Sequence, residues 1–227
     1  MLVSVVVATR NRPELLRSTL HALKAQTHQA LEVVVVDDGS SSATRAQYAP
    51  LWQELDDRFH LVVQGHDGQR GQGPSASRNQ AIQATHGELV SFCDDDDLWI
   101  DAEHLSRAVS AFGAHADLDL YISNQRAVYP DGSVREDWLP PLTTQWAAMS
   151  ALNTDCHRVS LAQLSQCGGF AHLNMLVLRR KLLQDAGGFW EGVNYEEDRD
   201  LFWRCVDRAR VMAYTPKNER HTLICGL

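Results

Sequence analysis

Five short apolar runs, separated by segments of helical period, constrain this chain more than any other feature. Residues 2–8 (LVSVVVA) are continuous and rich in β-branched side chains, as a strand covered on both faces requires. Residues 33–36 (VVVV), 59–64 (FHLVVQ), 88–93 (ELVSFC) and 118–123 repeat the pattern. After the first run, Asn11 and Pro13 mark a helix start, and Leu16, Leu20 and Leu23 recur at i, i+4 and i+7, predicting an amphipathic helix over 13–28. A less regular helix is expected over 43–57, interrupted at Pro50. A third is expected from a cap at Ser75 to a stop at Gly87, and a fourth from a cap at Asp101, with Leu105, Val109 and Phe112 on one face and Gly113 after it. Strand and helix thus alternate four times in the first 123 residues, the signature of a mostly parallel, doubly wound α/β sheet.

The second half is irregular. Asp131-Gly132 predicts a hairpin, residues 138–150 form a Trp- and Pro-containing stretch, and helices near 160–166, 179–186 and 197–208 accompany a strand near 173–178. No repeat, low-complexity segment or linker divides the chain, so one domain over 1–227 is expected. With 227 residues, 44% of them apolar, the chain can bury a large core without staples. Its five cysteines are odd in number and lack CxxC spacing, which suits reduced thiols in the cytoplasm. No apolar run approaches about 18 residues, and the start lacks a basic region and a cleavage site, so neither a membrane span nor a secretory signal is expected.

Charge is distributed unevenly. The chain has 29 acidic and 21 basic side chains. Eight of the acids form two blocks, Asp94–Asp97 and Glu196, Glu197, Asp198 and Asp200, and the rest of the chain is balanced. A net charge of −8 argues against nucleic acid, whose phosphates are bound by Lys and Arg.

Ligands of open α/β sheets bind outside the carboxyl ends of the strands. Three runs end there in polar residues: Thr9-Arg10-Asn11, Asp37-Asp38 and the Asp94 block. Four adjacent carboxylates repel one another, and a divalent cation with oxygen ligands offsets that cost. The alternative is a solvated loop in which Asp97 caps the next helix. Asp37-Asp38-Gly39-Ser40 is equally a site or a tight turn with a helix cap. The glycine-rich loop at 65–74 lacks the GxxxxGK[ST] pattern, and no GxGxxG joins the first strand to the first helix, which disfavours a P-loop and a dinucleotide site. It reads as a cover or an irregular turn. Arg78 and Asn79 follow it, placed to reach a phosphate or a neighbouring carboxylate. Acids at 196–200 suit a helix amino terminus, but this leaves the preceding Gly-Gly-Phe-Trp-Glu-Gly-Val loop (187–193) unexplained.

In combination, VSVVVATRNRPELLRSTLHALKAQ, VVVVDDGS, GPSASRNQAI with GELVSFCDDDDLW, and GGFWEGVNYEEDRDLFWRC resemble the family 2 glycosyltransferases with the GT-A fold, in the family's order across most of residues 2–206. The small spore-coat-type members are the most similar. The resemblance implies a Rossmann-like, mostly parallel sheet flanked by helices, with a nucleotide-sugar-binding half (1–123) and a smaller mixed acceptor-side half (124–227). It implies inverting transfer from a nucleotide-diphosphate sugar, with UDP the commonest carrier, to a hydroxyl of a glycan, lipid-linked or other acceptor. Thr9, Arg10 and Asp38 would line the nucleoside pocket, and Arg78 would lie near the diphosphate or donor sugar. The family's metal motif falls on Asp94, Asp95 and Asp96, with Asp96 the direct ligand of Mg²⁺ or Mn²⁺ and Asp95 nearer the ribose or sugar. The catalytic carboxylate falls on Asp198, beside Glu197, and His221 resembles a late histidine that helps hold the metal. The sequence runs six residues past His221, where many relatives continue, so a partner or a peripheral contact at the inner membrane face is expected to complete the acceptor site. Two other readings remain. A sugar-1-phosphate nucleotidyltransferase would want a Gly- and Lys-rich loop that ATRNRPELL does not supply; a non-catalytic nucleotide-sugar-binding subunit would bind the donor without releasing UDP from it.

Overall fold

A computed structural model describes residues 1–65, 71–193 and 195–216. In chain order the elements are β1 (Val3–Thr9), α1 (Pro13–Lys24), β2 (Leu31–Asp38), α2 (Ser42–Tyr48), α3 (Leu51–Glu54), β3 (Phe59–Gln64), α4 (Pro74–Ala84), β4 (Leu89–Phe92), α5 (His104–Ala114), β5 (Leu118–Ile122), β6 (Ala127–Val128), β7 (Val134–Arg135), α6 (Pro140–Gln145), β8 (His157–Val159), α7 (Leu161–Ser165), β9 (Leu176–Arg179), α8 (Arg180–Asp185), α9 (Glu197–Arg208) and β10 (Val211–Tyr214).

Eight strands form one sheet in the order β3-β2-β1-β4-β9-β5-β10-β8. The β1–β2, β2–β3, β1–β4 and β5–β10 pairs are parallel; β9 is antiparallel to both β4 and β5, and β8 to β10. This is the mostly parallel α/β sheet expected. Between β4 and β5 the sheet takes in β9, from the irregular half. Its Leu176, Val177 and Leu178 are fully buried, which suits a central strand. A run's own pattern shows that it is buried on both faces but not which strands it pairs with. The hairpin at Asp131-Gly132 is present as β6–β7. The short β8 and β10 were not expected; β10 is only four residues long.

Two helix starts differ from expectation. Gly73, at φ +96°, is the N-cap of α4, and Pro74 takes the first turn, so Ser75 lies inside the helix, which ends at Ala84. The α5 helix begins at His104 rather than at Asp101, whose carboxylate instead accepts from the Glu103 N–H at 2.9 Å, and Gly113 lies within it. Pro50 separates α2 from α3 as expected. Buried side chains from both halves join one hydrophobic cluster. Among the described residues, no helix is long and apolar enough to cross a membrane, and Cys93, Cys156, Cys167 and Cys205 are free thiols.

Candidate active site

The parallel register brings the carboxyl ends of β1, β2 and β4 to one edge: Thr9 aligns with Asp37, and Phe92, just before the Asp block, with Val6. A cleft of about 820 Å³ opens there. Thr9, Arg10, Asp38, Arg78, Asp94, Asp95 and Asp96 all line it, so seven sequence-selected residues from four segments share one cavity.

The Asp block is bound by the protein's own groups. Thr9 Oγ1 donates to Asp95 at 2.7 Å, and Arg12 Nη1 donates to Asp95 at 3.1 Å and Asp96 at 2.8 Å. Arg78 Nη2 donates to Asp94 at 2.6 Å. Thr19, on the apolar face of α1, places its hydroxyl 2.9 Å from the carbonyls of both Asp95 and Asp97. Asn174 accepts from the Asp94 N–H at 2.9 Å and donates to the Asp97 carboxylate. Asp97 is buried and caps no helix, which corrects the solvated-loop alternative. Burial, with Asp94 and Asp96 nearby, pushes its pKa up to about 8. Its Oδ1 has no partner among the described residues. Burial also raises Asp95 and Asp96. The block's self-repulsion is therefore offset by the guanidinium groups of Arg12 and Arg78.

Asp37 and Asp38 divide their work. Asp37 is fully buried and accepts from the Ser40 N–H at 2.8 Å and from the Tyr48 hydroxyl, holding the turn after β2. Asp38 faces the cleft and accepts the N–H groups of Gln72 at 2.7 Å and Gly73 at 2.9 Å. A Cβ on Gly71 would collide with the Asp38 carboxylate, so only glycine lets this loop approach. Asn11, at φ +56°, ties the two loops together: its N–H donates to Ser40 Oγ at 2.9 Å and its Oδ1 accepts from the Ser41 N–H at 3.0 Å.

The second acidic block meets the first through one side chain. Arg78 donates to Glu197 at 2.8 Å as well as to Asp94, and its guanidinium lies 5.4 Å from the Phe189 ring. Burial works against its charge, but the two carboxylates prevail and raise its pKa. Asn79 accounts for the 187–193 loop. It accepts from the Phe189 N–H and donates to the Phe189 carbonyl, both at 2.9 Å, and donates to Glu191 at 2.8 Å. Asp198 is not among the cleft-lining residues; it is half-buried in the first turn of α9, directly after Glu197, which does line the cleft. Burial raises its pKa, while the Arg199 N–H and His172 work the other way. Glu196 and Asp200 face outward, paired with Arg199 at 3.2 Å and Arg204 at 2.5 Å.

Sequence reasoning passed over Arg12, Thr19, Asn174 and His172. A polar residue on the apolar stripe of α1 and an Asn inside HLNMLVL were available signals; Arg12 and His172 had none beyond residue type. His221 lies outside the described residues. Among the described residues, no three His, Cys, Asp or Glu side chains converge on one point as a complete metal centre.

The family model described as glycosyl transferase family 2 matches residues 4–160. The chain belongs to this family. Among curated relatives, EpsH of Bacillus subtilis (strain 168), which bears a glycosyltransferase name, is 33% identical over 129 residues, 57% of this chain and 35% of EpsH. The GalNAc(5)-diNAcBac-PP-undecaprenol beta-1,3-glucosyltransferase of Campylobacter jejuni is 37% identical over 108 residues, 47% of this chain and 32% of that protein. This family 2 chain thus spans about a third of these relatives' length. S. aureus TarS 1-349 in complex with UDP-GlcNAc superposes with a TM-score of 0.75 at 22% identity, covering 98% of this chain and 58% of TarS 1-349. The mannosyltransferase PcManGT of Pyrobaculum calidifontis, in complex with GDP-Man and Mn²⁺, gives 0.66 at 20% identity, covering 98% and 56%. These likenesses show the fold, which is GT-A.

Proposed function

We propose that the chain is the catalytic region of an inverting glycosyltransferase that moves a sugar from a nucleotide-diphosphate donor, a UDP-sugar first among them, to an acceptor hydroxyl. The observation that carries this reading is the cleft, which gathers Thr9, Arg10, Asp38, Arg78, Asp94–Asp96 and Glu197, the residue before Asp198. Thr9, Arg10 and Asp38 receive the nucleoside, Asp38 exchanging the Gln72 and Gly73 N–H groups for base or ribose hydrogen bonds. Arg78 and Asp95 flank the diphosphate and donor sugar.

The donor set around the block is all oxygen, and Asp94 and Asp96 both border the cleft. Mg²⁺ and Mn²⁺ are commonly held by one or two carboxylates together with substrate phosphates, so the residues fit such a cation without a complete protein cage. Asp96 and Asp94 would hold it, and it would neutralise charge developing on the departing diphosphate. Asp198 takes the proton of the acceptor hydroxyl. The hydroxyl oxygen attacks the anomeric carbon opposite the nucleotide, so configuration inverts.

The deciding experiment is a thermal-shift and UDP-release screen of UDP-GlcNAc, other UDP-sugars and GDP-Man, with Mn²⁺, Mg²⁺ or EDTA. Stabilisation by at least one donor that needs the metal, with slow metal-dependent release of nucleotide, is the expected result. Asp96→Ala is expected to remove the Mn²⁺-dependent part of UDP affinity. Donor binding that ignores both EDTA and Asp96→Ala would refute the metal role.

A further inference from the structure

We propose that Arg12 is an exchangeable counter-ion. Its guanidinium holds the Asp96 carboxylate and yields that place to Mg²⁺ or Mn²⁺, so this one side chain sets how readily the cation binds. The proposal rests on the metal reading above and concerns a residue to which that reading gives no role.

Two guanidinium groups bond to the Asp block, and they are held differently. Arg78 uses both terminal nitrogens on different carboxylates, Asp94 at 2.6 Å and Glu197 at 2.8 Å. Its side chain is only 10% exposed and lies against the Phe189 ring. Arg12 reaches the block through one nitrogen, Nη1, shared between Asp95 at 3.1 Å and Asp96 at 2.8 Å. Its side chain is 51% exposed. Withdrawing Arg78 would leave a buried charge cluster uncompensated, which is costly. Arg12 can turn into water at little cost, as an exposed ion-pair partner can.

The backbone under Arg12 is fixed, so only the side chain needs to move. Asn11, before it, is tied to Ser40 and Ser41. Pro13 follows, and the Arg12 carbonyl accepts the Leu16 N–H at 3.0 Å, which opens α1. The guanidinium therefore swings on a fixed stem along the cleft that Arg12 lines.

The three carboxylates of the cleft differ in what they keep when Arg12 leaves. Asp95 retains the Thr9 hydroxyl at 2.7 Å. Asp94 retains Arg78, which uses only its Oδ1. Asp96 has no side-chain partner but Arg12 among the described residues. The carboxylate that Arg12 alone satisfies is thus the one read as the direct metal ligand.

Competition follows from the charges. Asp96 is half-buried beside other carboxylates, so its charge calls for a cation. Two cations on one carboxylate repel each other, so guanidinium and metal exclude one another there. Removing the guanidinium leaves the block more negative. That weakens the folded chain in the absence of metal and strengthens its hold on a divalent ion.

The test is titration of Mn²⁺ into wild type, Arg12→Gln, Arg12→Lys and Arg199→Ala, with UDP and without it. Electron paramagnetic resonance of free Mn²⁺ and thermal unfolding are the readouts. Arg12→Gln is expected to bind Mn²⁺ about tenfold more tightly than wild type without UDP. Its metal-free Tm is expected below that of wild type, and saturating Mn²⁺ to raise it by more than it raises wild type. Arg12→Lys, which keeps the charge, is expected to stay near wild type. Arg199→Ala removes an equally exposed cation from the outer groove and is expected to leave Mn²⁺ affinity within about twofold. The proposal is overturned if Arg12→Gln binds Mn²⁺ no more tightly than wild type, or if Arg199→Ala gives the same gain. The metal reading then stands, because wild type still binds Mn²⁺. Failure of every form to bind Mn²⁺, with UDP and without it, would overturn the metal reading and this proposal together.

Discussion

The two acidic blocks have similar composition and opposite fates. Asp94–Asp97 follows a buried strand in a non-helical loop, and every member is drawn into internal bonding: Asp94 to Arg78, Asp95 to Thr9 and Arg12, Asp96 to Arg12, Asp97 to Asn174. Residues 196–200 enter a helix, whose period distributes them around its axis. Glu197 turns to the cleft, and Asp198 does not line it. Glu196 and Asp200 turn outward into a groove of about 560 Å³ along α9, where Arg199 and Arg204 also lie. A loop can present consecutive carboxylates to one place; a helix can present only those on one face. Three members of the first block, Asp94, Asp95 and Asp96, therefore line the cleft, and the second block contributes Glu197.

The comparison is sharpened most by Asp198→Asn. Loss of the base is expected to lower turnover by about 10²–10⁴-fold with UDP affinity unchanged. Because burial raises the Asp198 pKa, the acid limb of the wild-type kcat/KM profile is expected above the range of an ordinary exposed carboxylate. Near-normal turnover would return Asp198 to the outward-facing class. The link between the blocks is tested by Arg78→Met, which leaves Asp94 and Glu197 without their shared cation. Breaking a fully buried pair costs about 3–5 kcal/mol. Here the side chain of Asp94 keeps 33% of its exposure, so about 2–3 kcal/mol by urea unfolding is expected.

Asp97→Asn probes the most buried member of the first block. In the folded chain Asp97 titrates at about 8, against about 3.9 when unfolded. A carboxyl with a raised folded value favours the folded state fully below the unfolded pKa, and that contribution is lost as pH rises towards 8. The Tm of wild type minus that of Asp97→Asn is therefore expected to fall between about pH 4 and pH 8 and to level off above. A flat difference would show that Asp97 is ionised in the folded chain. The smallest effect is expected at the outward pair. Arg199 and Glu196 are both about half exposed, so Arg199→Ala should change stability by no more than about 0.5 kcal/mol. A larger loss would mean that the outer groove has a structural duty that its exposure does not suggest.

Much of this was legible along the chain because the signals are local. A run such as LVSVVVA declares a buried strand, and the i, i+4, i+7 leucines of α1 declare which face is covered. Polar clusters directly after strand ends marked Thr9, Asp38 and Asp94–Asp96, and the topology of parallel strands carried them to one edge. The residues that escaped notice act across long separations. Asn174 supports a loop 80 residues earlier, Thr19 reaches the Asp95 carbonyl across 76 residues, and Arg12 reaches Asp95 across 83. Their neighbours in sequence say nothing of those partners.

By itself, then, the sequence determined the α/β class, the order of most strands and helices, and the set of polar residues at the strand ends, since each depends on periodicity and chain order. The tertiary structure alone decided that β9 would enter the sheet between β4 and β5, that Asp97 would be buried against Asn174, and that Arg78 would join the two acidic blocks. Those outcomes turn on pairing partners, desolvation and charge brought together from distant segments, and these come into existence only when the chain has closed on itself.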